Sequence, residues 1–237
     1  GQGIDPGELP VSRLICIGKP LRDAGMNPLK VTQDLEALWG AKVYSTYASS
    51  ETITTFCECT AQQGGHLLED LGIVEIVDDE GRVLPDGEVG EVVVTPLQIE
   101  GTPLIRFRTG DLSFLMTDPC ACGRITPRLG PILGRKQQMM KISGTTLYPQ
   151  AVFNALDEIG GISEYYIEVE QRNELSDSLR IVLSMQGDEL GSAGIAEGLQ
   201  ARLRVTPELV FKSEGEVRAK VFTPGSRKPI RFFDQRG

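Results

Sequence analysis

Apolar and polar positions in the first fifty residues form a strand, a helix and a second strand. The apolar run LICI at residues 14–17 is typical of a buried strand, and residues 42–47 return to a strand pattern. Residues 28–39 lie between them and space their apolar residues at helical intervals. The apolar positions on one side of this helix are Val31, Leu35, Leu38 and Trp39. The pattern predicts one unit of an α/β sheet.

A second pattern, rich in strands and turns, occupies residues 66–117. Residues 73–77 and 91–95 are apolar strands. The segment between them, DDEGRVLPDGEVG, carries the Gly, Pro and Asp residues that hairpin turns require. We therefore expect a β-rich subdomain with at least one hairpin.

A polar stretch near residue 136 separates two apolar regions and predicts a domain boundary. We expect residues 1–135 to form the α/β unit and the β-rich subdomain, and residues 136–237 to form a small domain. Pro149 stands where a helix begins, as proline prefers. The elements expected in the small domain are a strand near 140–142, a helix at 149–159, strands at 165–170 and 179–184, a helix at 189–203 and a strand at 209–212. This β-α-β-β-α-β order predicts a ferredoxin-like α+β sandwich.

Composition and charge narrow the class of protein. The chain has 237 residues, of which 40% are hydrophobic, as in ordinary soluble globular proteins. It contains no run of 18 apolar residues, and its first residues lack the features of a secretion signal. The net charge of −9 argues against nucleic-acid binding, which only the basic segment at 227–231 would favour. We expect a cytoplasmic protein without a nucleic-acid or membrane partner.

The cysteines point to a metal rather than to disulfides. The chain has five, an odd number, and four of them form two Cys-x-Cys pairs. Three thiolates and one imidazole suit a closed tetrahedral zinc site, for which the candidates are Cys59, His66, Cys120 and Cys122. Cys57 is an alternative to Cys59, and Cys16 fits a small core residue. The competing interpretation is a set of reduced thiols with a surface histidine.

Three further segments carry candidate chemistry. They are YASSE at residues 47–51, RFRTGD at 106–111 and GRKQQMMKISG at 134–144. Each alone is typical of an ordinary loop or turn. In this order, and with IGKP at 17–20, CACGR at 120–124 and GSRKPIR at 225–231, they resemble the adenylate-forming ligases. The resemblance covers nearly the whole chain and is nearest to the phenylacetate-CoA ligase family, which includes coenzyme F390 synthetase-like proteins.

The resemblance implies a nucleotide site. Tyr47 would pack on the adenine, Asp111 would accept hydrogen bonds from the ribose hydroxyls, and Arg135 would lie near the ribose and phosphate. Glu51 matches the carboxylate that holds Mg²⁺. The remaining matched positions are Ser50, the motif's hydroxyl, and the adenine loop Gly18, Lys19 and Pro20, in which Lys19 replaces the usual Glu.

Two more residues enter through the resemblance. Lys228 matches the mobile lysine that reaches the α-phosphate and the carboxylate during adenylation, a role that suits a charge on a flexible stem. Gln137 occupies the hinge position, where the family has Asp or Lys. Rotation about the hinge would withdraw Lys228 and admit the CoA thiol. The alternatives are an exposed lysine near a chain end and a plain interdomain linker.

The resemblance also predicts what the chain lacks. These ligases grip ATP phosphates with a loop rich in Ser, Thr and Gly that ends near a Lys. The sequence contains no such stretch. In the family it lies upstream, together with much of the acid-binding pocket. We therefore expect the C-terminal portion of a ligase about twice as long: a partial α/β adenylation domain with a β-rich subdomain, then the small domain. The isolated chain should not adenylate efficiently.

The expected function is ATP- and Mg²⁺-dependent activation of a carboxylic acid, aryl acids foremost, followed by transfer to CoA. Structural zinc would pin the loop after Tyr47 to the β-rich subdomain. One alternative is an adenylating enzyme that does not use CoA, like the F390 synthetase-like relatives. Another is a non-catalytic, zinc-stabilised interaction module. The oligomeric state is left open, with a homodimer among the alternatives.

Overall fold

The computed structural model describes residues 3, 5–51, 55–173, 176–187, 191–226 and 228–236. The chain divides into two compact units, Gly1–Lys136 and Gln137–Gly237, which we call unit 1 and unit 2. The division falls inside a short 3-10 turn at Lys136–Gln138. The expected fold class is confirmed, since an α/β unit and antiparallel strands precede an α+β region.

The described residues of unit 1 form two sheets. One has the strand order β1-β2-β3-β4-β9-β8 and the other has the order β10-β7-β6-β5. Its helix is α1 (Lys30–Trp39), and its strands are β1 (Arg13–Ile17), β2 (Lys42–Ala48), β3 (Thr55–Glu58), β4 (Gly65–His66), β5 (Gly72–Val77), β6 (Gly90–Pro96), β7 (Phe107–Ser113), β8 (Leu115–Met116), β9 (Arg128–Leu129) and β10 (Gly134–Arg135).

The first strands of unit 1 form the expected β-α-β unit. Strands β1 and β2 pair in parallel, from Arg13 opposite Lys42 to Ile17 opposite Thr46. Helix α1 connects them and ends at Gly40, whose φ of 60° is the left-handed conformation that terminates helices.

Burial in this unit differs from the expectation. Ile15 and Ile17 are 71% and 63% exposed, so the run at 14–17 is a strand but not a buried one. The reason is that β1 is the outer strand of its sheet in the described part of the chain. Helix α1 buries Thr32, which donates a hydrogen bond to the Leu21 carbonyl, whereas Leu38 is 55% exposed.

The two sheets of unit 1 share an apolar core. Strands β5 and β6 form the expected antiparallel hairpin, from Gly72 opposite Pro96 to Val77 opposite Glu91. The core residues from both sheets are Phe56, Leu67, Ile76, Val92, Val94 and Leu129. Gly65 is required here, because a Cβ at this position would lie 2.5 Å from the Phe56 carbonyl oxygen. The core therefore fixes β3 and β4 against the β-rich part.

Unit 2 contains a four-stranded sheet in the order β15-β14-β13-β16 and a two-stranded sheet, β11-β12. Its elements are β11 (Met140–Ile142), β12 (Thr145–Leu147), α2 (Pro149–Asp157), β13 (Ile162–Asn173), β14 (Ser176–Met185), α3 (Ser192–Leu203), β15 (Glu208–Phe211), α4 (Glu214–Val221) and β16 (Phe232–Asp234). Pro149 begins α2, as expected.

The first strand of unit 2 has a different partner from the one expected. Strand β11 does not join the four-stranded sheet but pairs with β12, with Ile142 opposite Thr145. The cause is the two-residue turn Ser143–Gly144, whose φ values of 49° and 85° fold the chain straight back. The place beside β13 is taken by β16, which the apolar pattern did not predict.

Helices cover both faces of the four-stranded sheet. Residues of α2 and α3, among them Val152, Ile195 and Leu199, belong to the larger core cluster, which includes Ile167 and Ile181 of the sheet. The smaller cluster on α4 is Val217 and Val221 with Tyr166 and Val182. Within the described part of the chain, no helix is long and apolar enough to cross a membrane.

Candidate functional site

The end of strand β2 places Tyr47 beside one aromatic residue, Phe56, and one acidic residue, Asp111. Its ring stacks on Phe56, with centroids 5.8 Å apart and an interplanar angle of 20°. Its hydroxyl donates to Asp111 Oδ2 at 2.8 Å. Burial raises the pKa of Tyr47, and the Asp111 charge adds to this effect, so the hydroxyl stays a donor.

Asp111 and Arg135 meet across two paired strands. Asp111 of β7 lies opposite Arg135 of β10, and Arg135 Nε donates to Asp111 Oδ1 at 3.2 Å. Asp111 is buried, whereas the Arg135 side chain is 68% exposed. We call Tyr47, Asp111 and Arg135 the Asp111 group. Both oxygens of its carboxylate already accept a hydrogen bond, and a ligand with hydroxyl donors would compete for them.

The adenine loop and the serine–glutamate segment lie at one edge of the first sheet. Gly18 follows β1 with a φ of 83°, and Ser50 and Glu51 follow β2. Because β1 and β2 are parallel, their carboxyl ends share an edge, which is where open α/β sheets bind ligands. Gly18, Lys19, Ser50 and Glu51 are exposed there, and Pro20 is half-buried. The adenine loop and the serine–glutamate segment thus lie at the same edge of the sheet as Tyr47.

Gln137 and Lys228 belong to unit 2. Gln137 is exposed in the turn at Lys136–Gln138. Lys228 is exposed in the loop between α4 and β16, and Ser226 Oγ donates to its carbonyl oxygen at 2.5 Å. The basic segment at 227–231 is only partly described, because Arg227 lies outside the described residues.

The structure brings together the four residues expected to bind zinc. The ligand atoms of Cys59, His66, Cys120 and Cys122, which we call the Cys/His cluster, all lie within 4.8 Å of one another. Cys59 Sγ is 3.5 Å from Cys120 Sγ, and Cys122 Sγ is 3.5 Å from His66 Nε2. Ligands of a tetrahedral zinc ion are about 3.5 to 3.8 Å apart, so these separations fit. Cys57 is exposed and lies outside the cluster.

The surroundings of the cluster favour metal ligation. Three of its residues are buried, so the histidine is not a surface residue. His66 Nδ1 lies 3.0 Å from Thr126 Oγ1, a contact that orients the ring with Nε2 toward Cys122. Burial lowers the pKa of His66, with help from Arg124 and Arg128, and keeps the imidazole neutral, as a ligand must be.

Cys59 and Cys122 of the cluster differ in the direction in which their surroundings shift the thiol pKa. Burial raises the pKa of the Cys59 thiol, whereas the backbone N–H of Arg124 lowers the pKa of Cys122 by hydrogen bonding. Cys120 and Cys122 lie on a tight turn between β8 and β9 that closes through Gly123, whose φ is 88°. The short Cys-x-Cys spacing therefore still allows both sulfurs to face the same point.

The chain is similar to known proteins in sequence and in fold. No protein-family model matches the chain. The phenylacetate-coenzyme A ligase of Thermus thermophilus is 36% identical over 184 residues, which cover 75% of this chain. The corresponding enzyme of Pseudomonas putida is 31% identical over 191 residues, or 79% of this chain. The chain belongs to the phenylacetate-CoA ligase family. It spans about two fifths of these relatives, 40% and 42% of their lengths, which fits the expected C-terminal portion.

The fold agrees with that membership. The structure of 2-hydroxyisobutyryl-CoA ligase in the postadenylation state, in complex with R3-HIB-AMP, aligns with a TM-score of 0.79 at 24% identity. The alignment covers 98% of this chain and 50% of that one. The fold of that structure therefore extends over both units of this chain.

The sequence pattern of this member of the phenylacetate-CoA ligase family did not reveal one residue of the site, Glu91. Glu91 is buried and accepts hydrogen bonds from Arg108 Nε and Nη2 at 2.9 and 2.6 Å, from Gly110 N at 3.2 Å and from Lys136 Nζ at 3.3 Å. Burial opposes its charge, but the bonds from Arg108 and Lys136 lower the pKa of Glu91. Gly110 precedes Asp111, so Glu91 holds the backbone behind the Asp111 group. The signal was a lone carboxylate heading an apolar strand, EVVV.

Proposed function

We propose that this chain supplies the C-terminal part of an AMP-forming carboxylic acid–CoA ligase. The observation that carries the proposal is the Asp111 group, which unites residues 47, 111 and 135 at one point of unit 1. Family membership supports the same reaction class, because the relatives at 31–36% identity are named phenylacetate-coenzyme A ligases.

In the first step, a carboxylate oxygen of the acid attacks the α-phosphorus of ATP. The bond from that phosphorus to the bridging oxygen of the β-phosphate breaks, and pyrophosphate leaves with the electron pair. Tyr47 would stack on the adenine, and Asp111 would accept from the ribose hydroxyls in place of its present donors. Arg135 would turn its exposed guanidinium to the ribose or phosphate. Such positioning supplies most of the rate in this kind of chemistry.

Charge neutralisation would come from two further groups. Lys228 would pair with the α-phosphate and the attacking carboxylate, an arrangement that lowers the repulsion between two anions. Glu51 would hold Mg²⁺, which prefers one or two carboxylates together with phosphate oxygens and neutralises them when bound. The adenine loop at residues 18–20 and the Ser50 hydroxyl would line the same edge of the sheet.

In the second step, the sulfur of CoA attacks the acyl carbon of the adenylate. The bond between that carbon and the phosphate oxygen breaks, AMP leaves, and the thiol proton passes to solvent. In the proposal, rotation about Gln137 withdraws Lys228 between the two steps. Gln137 is exposed in a three-residue turn at the division of the units, where a change of φ and ψ disturbs little packing.

The Cys/His cluster would hold one structural zinc ion. Four protein ligands fill a tetrahedral shell and leave no position for a reacting water. The ion would tie the end of β3 to the turn between β8 and β9, within the same sheet that carries Tyr47. The same proposal places the protein in the cytoplasm, where ATP and CoA are supplied and thiols stay reduced.

The proposal also predicts that the chain works only with the rest of a longer enzyme. Neither a phosphate-gripping loop nor a complete acid pocket is apparent in the sequence. The exposed Ile15 and Ile17 on the outer strand of the first sheet are compatible with further strands beside β1. Acid activation by the isolated chain should therefore be negligible.

The deciding experiment is acid-dependent exchange of radiolabelled pyrophosphate into ATP. It should be run on the isolated chain and on the complete protein that contains it, with phenylacetate first and then other aryl and alkyl acids. We expect exchange only in the complete protein. Robust exchange by the isolated chain would contradict the fragment proposal, and no exchange in either would favour a non-catalytic, zinc-stabilised module.

The acceptor needs a separate measurement. Products should be analysed with and without CoA in the reaction that shows exchange. An acyl-CoA thioester and AMP are expected. Accumulated acyl-adenylate, or transfer to another nucleophile while CoA is ignored, would favour the alternative of an adenylating enzyme that does not use CoA.

A further inference from the structure

The backbone that carries Lys228 is held in a closed loop of unit 2, although its side chain is exposed. Ile230 N donates to the Val221 carbonyl at 2.9 Å, which joins the exit of the loop to the end of α4. Inside the loop, Ser226 N donates to the Thr223 carbonyl at 3.1 Å and Ser226 Oγ to the Lys228 carbonyl at 2.5 Å. In its described residues, which leave out Arg227, the loop is therefore tied at its base and braced within.

Arg231 fastens the exit of this loop to the main sheet. Its Nε and Nη2 both donate to Glu164 Oε1, at 3.0 and 2.6 Å. Its guanidinium lies over the Tyr165 ring, 5.0 Å from the centroid, and its carbonyl accepts from Ile167 N at 2.8 Å. Arg231 is only three residues from Lys228, so these contacts fix where the lysine leaves the domain.

The ion pair of Glu164 and Arg231, which we call the anchor, reaches the core of unit 2. The Glu164 side chain is 5% exposed, so its buried carboxylate relies on Arg231, its one ion-pair partner among the described residues, and on the Tyr165 N–H, which donates to the same oxygen at 3.2 Å. Tyr165, under the guanidinium, donates from its hydroxyl to Asp157 Oδ1 at 2.6 Å, at the end of α2. Its ring lies 5.9 Å from that of Phe153. A shift of Arg231 would therefore require this packed group to move.

We propose that Glu164 and Arg231 are positioning residues that hold Lys228 for the adenylation step. The inference rests on the proposed function, because it assumes that Lys228 acts on the α-phosphate. A lysine stem is flexible, so its reach is useful only if its Cα is fixed. A misplacement of about 1 Å far from the chemistry can cost a hundredfold in rate. The transfer to CoA, from which Lys228 is withdrawn, should not depend on this anchor.

The test measures the two half-reactions separately in the complete protein. Adenylation is followed by phenylacetate-dependent pyrophosphate exchange, and transfer by thioester formation from supplied phenylacetyl-adenylate and CoA. Glu164→Gln keeps the side-chain shape and removes the charge. We expect it to lower the rate of exchange about tenfold to a hundredfold while transfer stays within about twofold of the wild type. Lys228→Ala should show the same selectivity with a larger loss.

Two further variants make the outcome decisive. Arg231→Lys keeps the charge but cannot donate from two nitrogens, and it should show the selective loss even if Glu164→Gln does not fold. Glu158→Gln removes an exposed ion pair with Arg202, 2.9 Å long, elsewhere in unit 2 and should leave both half-reactions unchanged. Equal loss of both half-reactions, or no loss in the anchor variants, would overturn the inference. A wild type without exchange would overturn the proposed function itself.

Discussion

The Cys/His cluster and the Asp111 group both lie in unit 1, but their polar atoms are arranged differently. The cluster directs three sulfurs and a nitrogen at one point, within 4.8 Å of one another, and three of its four residues are buried. The Asp111 group instead contains its own donors and acceptor, and Arg135 is open to solvent.

In the proposed function, the difference separates a site that requires its ligand from a site that only accepts one. Buried ligand atoms without a cation leave their lone pairs unused, so a bound metal would contribute to folding. The Asp111 carboxylate is already paired, so a nucleotide must replace existing hydrogen bonds. Removing the ligand should therefore destabilise the first site far more than the second.

The largest effect is expected from the cluster. Cys120→Ser should abolish stoichiometric zinc binding and lower the melting temperature of the protein by about 10 °C or more. Loss of a metal costs about 4 to 5 kcal/mol, and each kcal/mol shifts a protein of this size by about 2 to 4 °C. Metal content is measured by mass spectrometry and melting by calorimetry.

The chain supplies a matched control for this change. Cys57 is an exposed cysteine two positions before Cys59, outside the cluster. Cys57→Ser should leave both zinc content and melting temperature unchanged. If Cys57→Ser released zinc while Cys120→Ser did not, the ligand set would be wrong.

Asp111→Asn addresses the other side of the comparison. The amide retains the shape but loses the charge that would accept from ribose hydroxyls. We expect AMP affinity of the complete protein to fall about tenfold to a hundredfold, the equivalent of 1.5 to 3 kcal/mol for hydrogen bonds to a charged group. Zinc content should not change. Titration calorimetry with AMP measures the effect.

Asp118 provides the control for Asp111. It is a carboxylate of unit 1 whose side chain is 82% exposed and pairs with Arg128. Asp118→Asn should bind AMP as the wild type does. Unchanged affinity in Asp111→Asn would place the nucleotide elsewhere and remove the contrast between the two sites.

The support behind the Asp111 group should depend on pH. The pKa of Glu91 is lowered from its ordinary value of 4.5, so this carboxylate stabilises the fold above pH 4.5 and loses that effect as pH falls through its lowered folded-state pKa. Glu91→Gln should melt about 3 to 6 °C below the wild type at pH 7, for a loss of about 1.5 kcal/mol. This difference in melting temperature should disappear in acid, where Glu91 of the wild type is protonated.

The melting temperatures of variant and wild type are compared at equal pH, so that the effect of any zinc that both proteins lose in acid cancels. Glu80, whose side chain is 63% exposed and which pairs with Arg82, is the control, and Glu80→Gln should show no such difference at any pH. A difference in melting temperature for Glu91→Gln that persists well below pH 4 would mean that the introduced amide group, not the loss of charge, explains the variant.

Local patterns in the sequence predicted about half of the elements, among them the helices α1, α2 and α3 and the β5–β6 hairpin, because periodicity reports which residues face a core. They missed the partner of β11, since the hairpin turn at Ser143–Gly144 outweighed the expected long-range pairing. They also misjudged β1, because an apolar run indicates burial only if something covers it.

The candidate site was predictable only in part, and for a related reason. Cysteines and a lone histidine are rare enough to be noticed by identity alone. Glu91 was not, because carboxylates are common, and its role becomes visible only when Arg108 and Lys136 meet it across strands. Pairings between distant residues depend on strand register, which the local pattern of a single segment does not reveal.

The smallest expected effect concerns the Tyr47 hydroxyl. Its removal tests whether a nucleotide must displace the Tyr47–Asp111 hydrogen bond or binds to the hydroxyl directly. Tyr47→Phe keeps the ring that stacks on Phe56 and removes the donor to Asp111. If a nucleotide displaces this hydrogen bond, worth about 0.5 to 1.5 kcal/mol, its removal should tighten AMP binding by up to about tenfold. Tyr47→Ala should instead weaken binding, because the stacking face is lost. Weaker binding by Tyr47→Phe would mean that the hydroxyl contacts the nucleotide directly, and the Asp111 group would then resemble the Cys/His cluster in presenting donors that await a ligand.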